Sequence, residues 1–246
     1  MKTNHIHAGS LDAFGAALHT YQKSKAAPVI IERDDGFVDI DDVSHYFKEY
    51  QSWTDIEKRA IRYAKGKILD VGAGAGRVTL YLQKKGLDAT VLDISPMALK
   101  VCRLRGIKKV VKAGIIDYWP SIKYDTIIMY GNNFGLMQSR NKAIKLLNRM
   151  YSYTSKDGRI IAETMDVYTT KFKPHLDYQK YNRQIGRLSG QIRFRIRYDK
   201  YSTPYYDYLF VDKSELKEIV SHTKWKIDKY FENKGNVYIA ILRKMT

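Results

Sequence analysis

The chain has 246 residues, 44% of them apolar, and a single cysteine, Cys102. At about 150 residues per domain this allows one or two domains; the apolar share excludes a disordered tail, and one cysteine excludes an intrachain disulfide framework or a cysteine-based metal cluster. Lys and Arg number 43 against 26 Asp and Glu, a net charge of +17 that favours anionic partners such as nucleic acid and says nothing of the fold.

The 20 tyrosines suit partly wet pockets, each ring being apolar with a polar tip. A genomic amino-acid bias of AT-rich organisms accounts for charge and tyrosine equally well. The longest late apolar run, Val237 to Leu242, is far short of the roughly 20 residues of a membrane helix. Met1 to Ser10 has no apolar stretch of a secretory signal, so a cytoplasmic protein without membrane contact is expected. Of the histidines only His5-Ile6-His7 has ligand spacing, and no metal is expected.

In chain order, Leu11, Phe14, Leu18 and Tyr21 recur at helical spacing behind Ser10 as a candidate N-cap. Asp34-Asp35-Gly36 reads as a turn. Thr54-Asp55-Ile56-Glu57 has capping-box form. Residues 1–65 are thus expected to be a helical prelude or lid, and residues 66–246 the main domain. From Lys67 strands and helices alternate. Strands are expected at Lys67–Val71, Ala89–Asp93, Lys109–Ala113, Tyr124–Tyr130 and, after a Lys156-Asp157-Gly158 turn, Arg159–Glu163. Helices fall at Arg77–Lys85, from Ser95-Pro96 to Gly106, and from Ser139. This alternation predicts an α/β fold with a mainly parallel sheet. Residues 166–212 break the pattern and read as an antiparallel β insertion after the fifth strand, with strands at Gly190–Tyr198 and Tyr205–Val211. A helix at Lys213–His222 and an antiparallel pair, Lys226–Glu232 and Val237–Arg243, close the sheet.

Chemistry concentrates where the first strand turns into the first helix, at Asp70-Val71-Gly72-Ala73-Gly74-Ala75-Gly76-Arg77. Glycines there let backbone approach a ligand, and the helix N-terminus offers unpaired N–H groups. A dinucleotide fingerprint would need glycine where Arg77 stands, and no Gly-Lys-Ser/Thr follows, which excludes a phosphate-binding P-loop. The acidic residue followed by Gly-x-Gly-x-Gly resembles the first motif of the class I S-adenosylmethionine-dependent methyltransferases, with Asp70, Gly72, Gly74 and Gly76 matching. Asp93 matches the acid ending the second strand, which accepts from the ribose hydroxyls. Asp117 matches the acid after the third strand, near the adenine amino group. Tyr130-Gly131-Asn132-Asn133 stands where the fourth strand meets cofactor and acceptor. The resemblance implies a Rossmann-like methyltransferase sheet, its last strand antiparallel. It implies S-adenosylmethionine as cofactor, with Ala73, Arg77, Ile94, Tyr118, Gly131 and Asn132 joining the three acids and three glycines at its site. Each also has a structural reading: the glycines as a tight turn, Asp93 as the charge at the next helix N-terminus, Asp117 as a turn starter, the asparagines as caps.

A methyl transfer needs a positioned nucleophile and a base only if the acceptor must lose a proton. The carboxyl ends of the fourth and fifth strands put Glu163, the base candidate, with Asn133, Asp166 and Tyr168, toward the acceptor. Tyr46, Tyr50 and Trp53 read as a lid over the cofactor or as packing of the prelude. A small-molecule acceptor is the first expectation, RNA or protein the alternative, and a non-catalytic cofactor-binding scaffold a third. Finally, strict alternation in Arg193-Phe194-Arg195-Ile196-Arg197-Tyr198 puts three arginines on one strand face, as a solvated edge or an anion-binding ladder.

Overall fold

The computed structural model describes residues 11–245; the expected Ser10 cap and the His5-Ile6-His7 pair lie outside them. Its elements are α1 (Ala13–Ser24), β1 (Pro28–Arg33), β2 (Val38–Asp42), α2 (Asp55–Ala60), β3 (Lys67–Val71), α3 (Arg77–Lys84), β4 (Asp88–Asp93), α4 (Pro96–Leu104), β5 (Val110–Lys112), β6 (Tyr124–Met129), α5 (Arg140–Ser152), β7 (Thr154–Met165), α6 (Lys173–Gln184), β8 (Gln191–Tyr198), β9 (Tyr201–Ser202), β10 (Tyr206–Leu209), α7 (Lys213–Ser221), β11 (Trp225–Glu232) and β12 (Val237–Lys244).

The large sheet has strand order β11-β12-β7-β6-β3-β4-β5. Its pairs from β7 to β5 are parallel, and β12 runs antiparallel to both neighbours. Both faces are covered, so its strands alternate between two apolar layers. On β3, Ile68 joins Val78 and Leu82 of α3, while Leu69 and Val71 join Leu146 and Leu147 of α5 and Leu216 and Ile219 of α7. The chain goes one way from β3 to β4 and β5, then returns to β6 on the other side of β3. That reversal opens a crevice at the carboxyl ends of β3 and β6, where such sheets bind ligands.

A smaller antiparallel sheet, β10-β8-β1-β2 with β9 beside β8, joins the two ends of the chain. The expected helical N-terminus is present, with a β hairpin inside it. α1 and α2 are helical, with Asp12 capping α1 through the Gly15 N–H at 3.1 Å and the Thr54–Glu57 capping box in place. Between them β1 and β2 form a hairpin around the Asp34-Asp35-Gly36 turn. β2 is half acidic and leaves Val38 and Ile40 exposed, so its sequence lacks the one-sided apolar pattern of a strand with a buried face. The insertion is antiparallel as expected but begins with α6, whose polar sequence has Pro at its first turn. The expected turn at residues 156–158 is instead a bulge inside β7, where the pairing skips from Thr154 opposite Tyr124 to Arg159 opposite Thr126.

The small sheet packs Val29, Phe194 and Ile196 on α1, and α1 packs Ala13 and Ala17 on Ala98 and Val101 of α4. Asp12 fastens this layer to the large sheet by accepting hydrogen bonds from the Ser95 hydroxyl at 2.9 Å and the Met97 N–H at 3.0 Å. The arginine face of β8 is committed internally. Arg193 pairs with Asp207 at 3.3 Å, and Arg195 and Arg197 both pair with Glu32 at 2.7 and 3.0 Å. Hydrogen bonds from Arg195, Tyr205 and Arg197 hold the Glu32 carboxyl down to about 2. Among the described residues no helix is long and apolar enough to cross a membrane.

Candidate functional site

β3 delivers its chain into Gly72, Gly74 and Gly76, all with left-handed φ of 65°, 55° and 74°. Side chains rarely adopt that backbone, and all three positions are also crowded, Gly76 by Ile107 and Cys102. A Cβ at Gly72 would lie 2.7 Å from Asn133 Nδ2, and one at Gly74 would lie 3.1 Å from the Tyr46 ring. The loop is therefore a bare backbone surface roofed by Tyr46. The same ring reaches Gly131 after β6 and is held edge-on by Phe14 of α1 at 4.9 Å. Tyr46 thus stands over both halves of the crevice.

Three carboxylates surround this loop, Asp70 and Glu163 buried and Asp93 half-buried. Asp70 accepts from the Thr79 hydroxyl at 2.8 Å, and burial pushes it up to about 6. Asp93 accepts from the Gly74 N–H at 3.0 Å and the Ser95 N–H at 2.9 Å. Burial, with Asp12 nearby, holds it at about 6 against those bonds. Each Asp93 oxygen keeps capacity to accept once more. Glu163, near the end of β7, accepts from the Asn132 N–H at 3.0 Å through Oε1, while its buried Oε2 has no partner. Burial first, then the neighbouring Glu57, raises it to about 7, with Arg77 opposing.

The other expected residues fall into two groups. Near the crevice, Asn132 takes a left-handed φ of 62° and leaves its buried Oδ1 unpartnered. Ile94 is exposed and stands with Asp117 around Gly114, whose Cβ would lie 3.8 and 3.7 Å from them. Asn133 is a clamp, donating to the Val71 and Gly72 carbonyls at 2.9 and 2.8 Å. The others make contacts of their own: Ala73, inside the loop, packs toward the Leu99–Cys102 cluster of α4, and the Tyr118 hydroxyl bonds that of Tyr124 at 2.7 Å. Asp166 caps the turn at Tyr168, whose hydroxyl donates to Glu215 of α7 at 2.6 Å. Trp53 is buried, donates to the Lys48 carbonyl at 3.1 Å and carries the Arg77 guanidinium on its face at 4.9 Å. Arg77 itself is ion-paired with the buried Glu57.

Sequence reasoning missed Glu57, Asp12 and Tyr208. The capping box already accounted for Glu57, and Asp12 stands within the helical stripe of α1. Tyr208 of β10 donates to the Asn132 carbonyl at 2.8 Å and walls the crevice on the side of the small sheet. Among the described residues, no group of His, Cys, Asp or Glu is arranged to hold a metal.

Comparison with known proteins places this geometry. Residues 68–158 match the methyltransferase-domain family. A crystal structure of an S-adenosylmethionine-dependent methyltransferase from Bacteroides fragilis, in complex with S-adenosyl-L-homocysteine, superposes with a TM-score of 0.83 at 26% identity, covering 97% of each chain. An uncharacterized methyltransferase of Staphylococcus carnosus is 24% identical over 176 residues, 70% of this chain and 75% of that protein. A methyltransferase from Clostridium acetobutylicum shares the fold at a TM-score of 0.60 and 12% identity, over 82% of this chain and 94% of its own. Domain match, whole-chain likeness and glycine loop together support a class I S-adenosylmethionine-dependent methyltransferase.

Proposed function

We propose that this enzyme methylates a small molecule, with Glu163 as the base. The observation that carries the reading is the Glu163 carboxylate itself: buried, raised to about 7, with one oxygen unpartnered beside the glycine-loop crevice. S-adenosylmethionine, when bound, supplies an activated methyl on a sulfonium, so the protein has mainly to position an acceptor and exclude water. The residues present fit that cofactor. The three acids at the loop would favour a cationic ligand, Asp93 would accept from the ribose diol, Ile94 and Asp117 would flank the adenine, and the orphan Asn132 Oδ1 would take an ammonium proton. Tyr46 shuts water from the loop. Glu163, poised near neutrality, takes the acceptor's proton.

Two observations favour a small acceptor over RNA or protein: Tyr46 and Tyr208 roof the crevice, and the arginines of β8 are already neutralised. The direct test supplies labelled methyl donor with fractionated cell extract. Label is expected in metabolites, and label confined to RNA or protein would refute the small-molecule reading.

Asp93→Ala removes charge-assisted hydrogen bonds of about 1.5–3 kcal/mol, so S-adenosylhomocysteine should bind roughly tenfold to a hundredfold more weakly at pH 7.5. In the unchanged protein, affinity should also fall as the pH drops through about 6, where Asp93 takes up its proton. Calorimetry reads both; equal affinity in a folded variant removes Asp93 from the site.

A further inference from the structure

Beneath the small sheet lies a cavity of about 420 Å³ that none of the cofactor residues enters. Its size falls in the range of small-molecule sites. Ile31, Ile192 and Phe194 of the small sheet, with Met165, Val167 and Phe210, give it apolar walls. It adjoins the proposed base along two paths. Met165 lies two residues beyond Glu163 on β7, so the two share a strand face at about 6.6 Å spacing. Phe194 and Phe210 both touch the Tyr208 ring, with centroids 5.7 and 5.4 Å apart, and Tyr208 in turn bonds Asn132. Tyr208 thus links the cavity wall to the crevice.

The charges on its lining decide what it accepts. Arg33 is buried and already doubly paired with Asp35, at 2.8 Å through Nε and 2.7 Å through a terminal nitrogen. Its plane is held between Phe37 and Tyr178, 4.8 and 4.2 Å from their centroids. His175 receives a hydrogen bond from Arg33 on Nδ1 at 3.2 Å, and burial together with Arg33 pushes its pKa down, leaving it neutral. Asp39 is the other charged residue of the lining. The cavity therefore offers aromatic and aliphatic walls, a neutral imidazole, the Asp39 carboxylate and no free cation, in a protein whose net charge is +17.

We propose that this cavity is the acceptor pocket of the methyl transfer and takes an uncharged, ring-bearing, largely apolar small molecule rather than a phosphorylated or otherwise anionic one. The proposal rests on the methyltransferase reading above and adds the acceptor class to it. Two dyes with the same aromatic skeleton test it: N-phenylnaphthylamine, which is neutral, and anilinonaphthalene sulfonate, which carries a sulfonate. The neutral dye should bind one per chain, at least tenfold tighter than the sulfonate. Ile192→Trp fills the pocket and should weaken the neutral dye at least tenfold, while S-adenosylhomocysteine affinity stays within threefold. Val167→Trp serves if the first variant does not fold. Either variant should also abolish label transfer into the organic-soluble metabolite fraction. Sulfonate binding as tight as the neutral dye, or variants that hold both dye and label transfer, would overturn the assignment. S-adenosylhomocysteine titration of the unchanged chain tests the cofactor site separately, so a protein that binds it yet fails these criteria loses the pocket alone.

Discussion

Replacing Glu163 by glutamine should lower the rate of methyl transfer by about 10²–10⁴-fold, the usual contribution of a positioned general base. Gln keeps an oxygen for the Asn132 N–H and removes the basicity, so S-adenosylhomocysteine should still bind within about tenfold of the parent. The pH profile separates this role from a structural one. The parent rate should rise through about 7 as Glu163 ionises and level off above it, and the variant should lose that inflection. A variant with the parent's rate and profile removes Glu163 from the chemistry. The same shift has a stability side. An acid raised in the folded state binds a proton there that the unfolded chain releases, so its contribution is full below the unfolded pKa and is lost as pH rises through the folded one. For Glu163 that window runs from 4.5 to about 7, and for Asp70 and Asp93 from 3.8 to about 6. The melting temperature should therefore carry a falling component across this range, smaller in Glu163→Gln.

The largest loss of stability should follow from Arg77→Ala. Its guanidinium is paired with Glu57, the two side chains being only 13% and 9% exposed, and it opposes the charge of Glu163 as well. Removing one partner of a buried pair leaves an uncompensated charge and costs about 3–5 kcal/mol, on the order of 10 °C in melting temperature for a chain this long. The stacking on Trp53 goes with it. Arg77→Met combined with Glu57→Gln removes both charges and should recover much of the loss, because paired deletion leaves nothing orphaned. A single variant that melts with the parent would show that the pair contributes nothing.

The half of the site that reads from sequence is the half written locally. Gly72, Gly74 and Gly76 fall within one strand–helix turn, and Ser95-Pro96 announces α4 a few residues after Asp93, with Ser95 capping the Ala98 N–H as its position implies. The proposed acceptor half depends on pairings between distant segments. β1 meets β8 in the register Ile31 opposite Ile196, and no spacing within either segment announces that partner. α6 stayed invisible because Lys173–Gln184 is polar along most of its length. Arg77 shows the limit of motif reasoning from the other side: it stands inside the glycine motif, yet its charge is spent on Glu57 and Trp53, a relation only the folded chain reveals.

The division of the small sheet between the two ends of the chain sets an order of assembly. β1 and β2 leave the ribosome first, while β8 follows only after the whole parallel sheet from β3 to β7. Pairings across such a span close late, because the loop entropy must be met before the contacts form. During that interval the early hairpin is a strand edge without its partner, the kind of surface that joins other nascent chains. Asp39, Asp41 and Asp42 on β2 and Pro28 at the start of β1 suit that interval. Repelling acids on β2 guard the hairpin's outer edge, the missing N–H of Pro28 weakens β1 as a template, and Glu32, opposite Arg195 in the finished register, keeps its charge for the strand that comes last.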